Sequence, residues 1–184
     1  TELGGLTEGI VLTTTSNANN ITSSSLNYGS SGLADADIAL LIGADQTDDT
    51  NALEFDFIAN SNELSFRYLF ASEEYRQYVW TLYNDAFGFF LSGPGISGTY
   101  SDNSINLALL PNGLPVAVNT VNGGNIVNGD AATCLAMDSG FQSGVASPYY
   151  NANGASSYNG FEGLTDVFTA SATTIPGEKY HIKL

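Results

Sequence analysis

Oxygen-bearing side chains stand at both ends of an aromatic-rich segment, residues 72–85, and their chemistry suits a hard cation. Glu73 and Glu74 directly follow an apolar alternating run, and Asn84 and Asp85 directly precede the next one. If both runs are strands of one sheet, the connecting segment returns to the same end of that sheet and the four side chains converge. Calcium takes about six to eight oxygen ligands, and a divalent cation relieves repulsion between crowded carboxylates. The pattern therefore predicts a calcium site at this rim.

The two glutamates also have other interpretations. Glu73 and Glu74 could be solvated, or they could pair with Arg67 or Arg76. Two carboxylates can also serve a glycoside hydrolase as acid and nucleophile. Adjacent glutamates on a strand face opposite sides and cannot flank one bond, whereas Glu74 with Asp85 stays open as such a pair. A carbohydrate-active enzyme is therefore a minor alternative, and we expect a protein without catalytic residues.

A second acidic group lies in the segment DADIALLIGADQTDD, residues 35–49. Its spacing does not fit an EF-hand, because the glycine and the terminal glutamate of that loop are absent at the required offsets. We expect its aspartates to be turn carboxylates that face water: Asp35, Asp37, Asp45, Asp48 and Asp49.

Aromatic residues cluster in segment 72–85 and in a long stretch rich in Gly and Asn, residues 122–163. Aromatic side chains on loops provide rigid contact area at low entropic cost, which suits recognition of a peptide or glycan. About half of these rings are expected to serve the interior, since a lone tryptophan is more often buried than exposed. The candidate ligand contacts are Tyr75, Tyr78, Trp80, Tyr149, Tyr150 and Tyr158.

The remaining reactive side chains give weaker signals. Cys134 is the single cysteine, and with no base nearby in sequence we interpret it as a small buried hydrophobe. His181 is the single histidine and is expected at the surface, which disfavours a zinc site or a Ser-His-Asp triad. Lys179 or Lys183 could form an isopeptide bond with an Asn or Asp, which would release about one ammonia or water.

The charge balance excludes several classes of partner. Four Lys and Arg oppose nineteen Asp and Glu, giving a formal net charge of −15. Binding to nucleic acid or to an anionic membrane depends on basic side chains, so neither partner is expected. No apolar run approaches the roughly 18 residues that span a bilayer. Hydrophobic residues make up 43% of the chain and charged residues only 12%, which is typical of a secreted, extracellular β-protein with an uncharged polar surface.

Short apolar runs with period-two alternation, separated by Gly, Asn, Ser or Pro, predict eight strands. In the clearest run, Leu64, Phe66 and Tyr68 point to one side. Segment 72–85 is either a short helix or an ordered loop, and residues 15–32 and 122–163 are loops. We predict an all-β, antiparallel, jelly-roll-like β-sandwich that forms one domain over residues 1–184. The predicted strands cover residues 9–14, 52–59, 63–71, 86–93, 105–111, 115–121, 166–172 and 179–184.

Two sequence blocks are specific enough to indicate a family: LSFRYLFASEEY at 64–75 and NDAFGFFLSGPGI at 84–96. Together with four supporting blocks they resemble the choice-of-anchor L domain of prokaryotic surface proteins. The resemblance implies a secreted, non-enzymatic β-sandwich module of adhesin-like proteins that are held to the cell by varied C-terminal anchors. It also implies strands before and after this stretch, so we expect the chain to lack terminal strands of the family. The supporting blocks are TEGIVLTT (7–14), INLALLPNGLPVAVNTVN (105–122), YNGFEGLT (158–165) and YHIKL (180–184).

Two functions are consistent with these features. The first is a cell-surface module that binds a peptide or glycan on another surface, with calcium at the rim. The second is a structural subunit of an extracellular filament or surface layer that self-associates by strand exchange through open sheet edges.

Overall fold

Antiparallel strands dominate the computed structural model, which describes residues 5–14, 33–75, 77–125, 127–152 and 161–184. Two short helices accompany the strands, α1 (Ala36–Ile42) and α2 (Ala131–Met137). The predicted all-β, antiparallel, sandwich-like fold is confirmed, and its description as a single domain stays a prediction. The strands are β1 (Glu54–Ile58), β2 (Glu63–Tyr68), β3 (Ala71–Ser72), β4 (Ala86–Phe87), β5 (Phe90–Ser92), β6 (Ile105–Asn106), β7 (Val116–Ala117), β8 (Tyr150–Ala152), β9 (Gly163–Thr165), β10 (Phe168–Thr173) and β11 (Lys179–Lys183).

Within the described residues the strands form four small sheets, in which late strands pair with early ones. The largest sheet has the order β1-β11-β5-β6, and a three-stranded sheet has the order β3-β9-β8. Strand β10 pairs with β2, and β4 pairs with β7. In the β10–β2 pair Phe168 lies opposite Tyr68, and in the β1–β11 pair Phe57 lies opposite Tyr180. Both pairings join the last part of the chain to residues much earlier in the sequence.

The alternating runs bury the side chains that the pattern predicts. Tyr180 and Ile182 of β11 are buried, and so is Tyr68 of β2. They belong to a main hydrophobic core that also contains Leu91 and Val116. A second core cluster consists of Tyr75, Val79, Trp80, Val118 and Cys134. This second cluster lies beneath the aromatic-rich segment and holds it against the rest of the fold.

One predicted strand is absent from the structure. Residues 9–14 are described and carry no strand, and Ile10 and Val11 are 81% and 65% exposed. A neighbouring strand among the described residues would cover such side chains, and none does. A polar contact is formed at Thr13, whose carbonyl accepts a hydrogen bond from Asn51 Nδ2 at 2.8 Å. The apolar alternation at 9–14 is therefore a misleading signal.

Segment 72–85 is an ordered loop of consecutive turns, so the helical alternative is wrong for its described residues. Tyr78 N donates to the carbonyl of Glu74 at 3.0 Å, which closes one helical turn, but Thr81 N then donates to Tyr78 at the tighter i to i+3 spacing. Trp80 interrupts the turns with a left-handed φ of 67°. A bulky side chain rarely adopts this φ. Asn119 Oδ1 holds the residue there by accepting from Trp80 N at 2.6 Å.

The second acidic group is a capped helix and not a set of water-facing turns. Asp35 is the N-cap of α1, and its Oδ1 accepts from the backbone N–H groups of Asp37 and Ile38. Gly43 ends the helix with a φ of 68°. Asp37 is only 3% exposed, and both aspartates contact Nζ of Lys183, the last residue of β11. The expectation that these carboxylates face water holds for Asp45 and Asp48 and is wrong for Asp35 and Asp37.

Candidate functional site

A single buried serine positions the acidic residues that follow β3. The Ser72 hydroxyl donates to Asp85 Oδ2 at 2.7 Å and accepts from the backbone N–H of Glu74 at 2.9 Å. The Ser72 carbonyl accepts from the backbone N–H of Glu162 at 3.0 Å. Three acidic residues from three parts of the chain are therefore bonded to one residue. We call Glu73, Glu74, Asp85 and Glu162 the acidic rim.

The acidic rim forms by a route that differs from the one the sequence suggested. Strands β3 and β4 belong to different sheets, so a shared sheet does not bring their ends together. The Ser72–Asp85 hydrogen bond joins them directly. Glu162 lies at the acidic rim because β9 pairs with β3, which places Gly163, the next residue, opposite Ser72. The structure thus brings together three of the four predicted acidic or amide side chains and adds Glu162.

Burial and neighbouring charges raise the pKa values of three carboxyls of the acidic rim, those of Glu73, Glu74 and Asp85. Burial raises the pKa of Glu74 to about 7, and the charges of Asp85, Glu73 and Glu162 act in the same direction. Burial followed by the charges of Asp85 and Glu162 also raises the pKa of Glu73, against an opposing backbone hydrogen bond. These mutual effects show that the carboxylates are close enough to repel one another.

Asp85 combines a raised pKa with contact to solvent. Surrounding protein desolvates the carboxyl and raises its pKa, the Ser72 hydrogen bond opposes this, and the charge of Asp49 adds to it. Part of the Asp85 surface is nevertheless exposed to water. Asp85 is therefore enclosed on most sides but reachable by a small ion.

The raised pKa of Glu74 predicts a pH-dependent stability. The folded protein keeps this proton between pH 4.5 and about 7, whereas an unfolded chain has released it. Its stabilisation is complete below the ordinary pKa of 4.5 and is lost as pH rises through about 7. After discounting for solvent screening, we expect Glu74→Gln to raise the free energy of unfolding by about 1 kcal/mol at pH 8 and to leave it unchanged at pH 4.5.

Urea denaturation at both pH values measures this effect. Glu178→Gln is the matched control, because Glu178 is exposed and lies outside the acidic rim, and we expect no pH-dependent difference for it. A Glu74→Gln protein that is less stable than the native protein at pH 8 would contradict the repulsion.

Asn84 lies beside the acidic rim but has structural partners. Its Oδ1 accepts from the backbone N–H of Asn119 at 2.9 Å, and its Nδ2 lies 3.3 Å from Met137 Sδ. Asn119 in turn binds Trp80 N and Thr81 O. Asn84 therefore fixes the end of the connecting segment, and its side-chain oxygen is already engaged in the fold.

The six candidate aromatic contacts fall into three groups. Tyr75 and Trp80 are 4% and 0% exposed, and both belong to the second core cluster, so neither offers a surface to a partner. Tyr78, Tyr149 and Tyr150 are half-buried. Tyr158 lies outside the described residues. Trp80 packs edge-on against Phe141, with ring centroids 4.6 Å apart.

Tyr150 is the aromatic candidate that the fold places next to the acidic rim. Strand β8 pairs with β9, so Ala152 lies opposite Gly163, the residue after Glu162. The rings of Tyr150 and Tyr75 lie 5.0 Å apart. Gly163 permits this packing, because a Cβ there would lie 2.4 Å from the Tyr150 ring and 2.8 Å from the Tyr75 ring. A half-buried ring therefore packs on Gly163, the residue after Glu162.

The described side chains of the acidic rim do not by themselves form a metal site. Among the described residues, no three Asp, Glu, His or Cys side chains are arranged to hold a metal ion on their own. Within the same part of the chain, Glu74 Oε2 is buried without a hydrogen-bond partner. Such an oxygen is a suitable ligand for calcium, whose remaining ligands are commonly backbone carbonyls and water. Glu74 and Asp85 are the residues best placed to contribute.

The cysteine and the histidine lie apart from the acidic rim. Cys134 is fully buried, burial raises the pKa of its thiol to about 12, and Sγ donates to the carbonyl of Asn119 at 3.2 Å. His181 Nδ1 lies 2.9 Å from Asp56 Oδ1 across the β1–β11 pair, in a partly exposed position. Neither is among the groups that shift the pKa values of the rim carboxyls.

Comparison with known proteins identifies the family. The family model of the choice-of-anchor L domain matches residues 3–184. The chain belongs to the choice-of-anchor L domain family. The resemblance drawn from the sequence blocks is thereby confirmed. No curated protein and no solved structure matches the chain.

Membership in the choice-of-anchor L family makes the chain a module of a surface-anchored or secreted protein. In the described parts of the chain, no helix has the length and apolarity needed to cross a membrane. The two specific sequence blocks of this choice-of-anchor L domain meet at the acidic rim. The first ends in Ser72, Glu73, Glu74 and Tyr75, and the second begins with Asn84 and Asp85.

Sequence reasoning missed two residues of the acidic rim region, Ser72 and Glu162. Ser72 has no distinctive pattern, although its place between an apolar run and two glutamates is compatible with a buried polar connector. Glu162 lies in the YNGFEGLT block, which supports the family resemblance but has no metal-site pattern of its own. Pairing of that block with β3 would have placed Glu162 at the rim.

Proposed function

We propose that this choice-of-anchor L domain is a non-enzymatic recognition module. In this proposal the acidic rim binds calcium, and oxygens of a peptide or glycan on another surface complete the coordination shell of the ion. The single observation that carries the proposal is the attachment of Glu74, Asp85 and Glu162 to Ser72, which holds repelling carboxylates together. Repulsion of this kind is relieved when a divalent cation binds.

A calcium ion that bridges the domain and its partner agrees with the small number of metal ligands that the acidic rim itself provides. Since the described carboxylates do not form a three-ligand cluster, a partner that offers a carboxylate or a pair of hydroxyls would raise calcium affinity by completing the coordination shell. Exposure of Asp85 leaves room for such a partner oxygen. The Tyr150 ring beside the rim adds an apolar face suited to a sugar ring or a peptide side chain.

The proposal of a non-enzymatic role rests on the environments of the reactive groups. The Cys134 thiol is buried with a pKa of about 12, so it is held in its unreactive form. The only histidine lies on β11 beside Asp56. Neither group is positioned to activate a nucleophile at the acidic rim.

Isothermal titration calorimetry with calcium chloride tests the rim. We expect the native protein to bind calcium and to release protons at pH 7, because cation binding lowers the pKa of Glu74. Glu74→Gln and Asp85→Asn are each expected to weaken binding at least about tenfold, which is the effect of losing roughly 1.4 kcal/mol. Glu178→Gln is the control and should bind as the native protein does. Equal calcium binding in all four proteins would remove the proposed site.

The partner is tested by binding of the native protein to glycan and peptide arrays in calcium and in EGTA. Signals that appear in calcium, disappear in EGTA and are lost in Asp85→Asn would support a calcium-bridged contact. Array binding that is unchanged by EGTA would contradict the bridging ion.

A structural role in a filament is the second candidate, and the exposed edge of the largest sheet favours it. Among the described residues β1 is one of the two outer strands of this sheet, and Phe55 and Ile58 are 45% and 61% exposed. An outer strand with exposed apolar side chains is a template for pairing with another chain. Negative-stain images of the native protein should then show ordered fibres, and the Ile58→Lys protein should form none. Leu82→Lys is the control, because Leu82 is 96% exposed and lies outside any strand, and this variant should still form fibres. Discrete particles from the native protein would exclude this role.

A further inference from the structure

Lys183 lies in a nearly dry contact with two aspartates from the early part of the chain. Its Nζ is 2.8 Å from Asp35 Oδ2 and 2.5 Å from Asp37 Oδ2. The side chains of Lys183 and Asp35 are each 15% exposed and that of Asp37 is 5% exposed. The Phe90 ring covers Nζ, with 5.1 Å between Nζ and the ring centroid. An amine is thus held against two carboxyl groups with little access for water.

The two aspartates differ in what binds their other oxygen. Asp37 Oδ1 accepts two hydrogen bonds from Ser101, one from the backbone N–H and one from the hydroxyl, both at 2.9 Å. Asp35 Oδ1 is the N-cap acceptor of α1. Two donors directed at one carboxyl oxygen are the arrangement that stabilises an oxyanion during attack on the adjacent carbon. Asp37 therefore has the geometry of the acceptor, and Asp35 that of a proton carrier.

We propose that Lys183 and Asp37 form an intramolecular isopeptide bond, with Asp35 transferring the proton. The Lys183 ammonium first gives a proton to Asp37 Oδ2, which leaves a free amine beside a carboxylic acid. Nζ then attacks Asp37 Cγ, and the negative charge that develops on Oδ1 is stabilised by the two Ser101 donors. The Asp35 carboxylate takes a proton from Nζ and delivers it to Oδ2, which leaves as water. The products are a neutral amide, one water molecule and a regenerated Asp35 carboxylate.

The folded structure makes this condensation favourable in two ways. Holding amine and carboxyl in contact replaces a bimolecular encounter, for which effective molarities reach about 10⁵–10⁸ M in well-oriented systems. The low exposure of the three side chains keeps water away from the contact and so limits hydrolysis of the product. No oxidant, cofactor or second protein is required.

The bond would connect residues that are 146 positions apart. It would tie α1, from the early part of the chain, to β11, a central strand of the largest sheet. A covalent link that closes so long a loop restricts the unfolded chain strongly. In a surface protein it would also keep β11 attached to α1 under load.

Intact mass spectrometry of the denatured native protein tests the bond. We expect a mass about 18 Da below that of the sequence, the loss of one water. Proteolysis should release a branched peptide that contains Lys183 and Asp37. A mass equal to that of the sequence after prolonged incubation of the folded protein would overturn the proposal.

Three variants assign the roles of the residues. Lys183→Arg keeps the positive charge but has no amine nucleophile of this kind, so its full sequence mass is expected. Asp37→Asn should still form the bond and lose about 17 Da, since ammonia replaces water as the leaving group.

Asp35→Asn tests the transfer of the proton. The substitution preserves the N-cap of α1, because asparagine caps as well as aspartate. It should slow formation of the bond at least about a hundredfold, as expected for loss of a general acid and base. A branched peptide that joins Lys183 to Asp35 in place of Asp37, or an undiminished rate in Asp35→Asn, would contradict the assignment.

Discussion

Replacing Trp80 with alanine is expected to lower the free energy of unfolding by about 3–5 kcal/mol. Trp80 is fully buried in the second core cluster, where it contacts Phe141 edge-on. Its backbone N–H also binds Asn119 Oδ1, so the ring and the strained turn hold one another in place. Loss of the ring leaves a large cavity under segment 72–85. Urea denaturation followed by far-ultraviolet circular dichroism measures the loss.

Leu82→Ala is the matched control for Trp80→Ala. Leu82 belongs to the same segment but is 96% exposed, so its truncation should change the free energy of unfolding by no more than about 0.5 kcal/mol. Equal destabilisation by the two substitutions would contradict the burial of Trp80 and, with it, the assignment of this ring to the core.

Lys183→Met is expected to be less stable than Lys183→Arg by about 3–5 kcal/mol at pH 7. Neither variant can form the proposed isopeptide bond, so their difference isolates the buried charge. Arginine keeps a cation beside Asp35 and Asp37, whereas methionine leaves both carboxylates without one. Contact with Lys183 and Ser101 holds the pKa of Asp37 below its ordinary value of 3.8, against the opposing effect of burial, so the difference should shrink as pH falls below that value.

The second lysine of β11 provides the control for this comparison. Lys179 pairs with Asp56 at 2.6 Å, but the two side chains are 64% and 47% exposed. An exposed pair contributes about 0–1 kcal/mol, so Lys179→Met and Lys179→Arg should differ by no more than that. If the free energies of unfolding of Lys183→Met and Lys183→Arg also differ by no more than about 1 kcal/mol, the ion pair between Lys183 and Asp37 is not a buried one. The native protein compared with Lys183→Arg then reports the contribution of the bond itself.

The parts of the fold that could be predicted from sequence are those with a long local pattern. Alternation in β2 and β11 predicts that Tyr68, Tyr180 and Ile182 share the inner face of their strands, and all three are buried. The same pattern fails at residues 9–14, because alternation describes a strand only when a neighbour covers it. Helix α1 escaped prediction although both of its ends carry readable caps, Asp35 and Gly43. Its seven residues make about two helical turns, too few for a clear period.

The candidate site was partly predictable for a related reason. Glu73, Glu74 and Asp85 flank one segment, which predicts that they converge, although the Ser72–Asp85 hydrogen bond and not a shared sheet brings them together. Glu162 comes from a strand far along the sequence, and only the β3–β9 register brings it to the acidic rim. The sequence likewise could not tell the buried Trp80 from the exposed Tyr83, since Asn119, 39 positions after Trp80, fixes the turn that separates them.

The most direct test of the acidic rim is a carbon-13 NMR titration of the Glu74 carboxyl group with and without calcium. In the absence of calcium the structure predicts a pKa of about 7, raised by burial and by the charges of Asp85, Glu73 and Glu162. Saturation with calcium should move that pKa back to 4.5 or below, because the ion favours the charged form. A Glu74 pKa near 4.5 in both conditions would contradict the close approach of the rim carboxylates and the cation binding built on it.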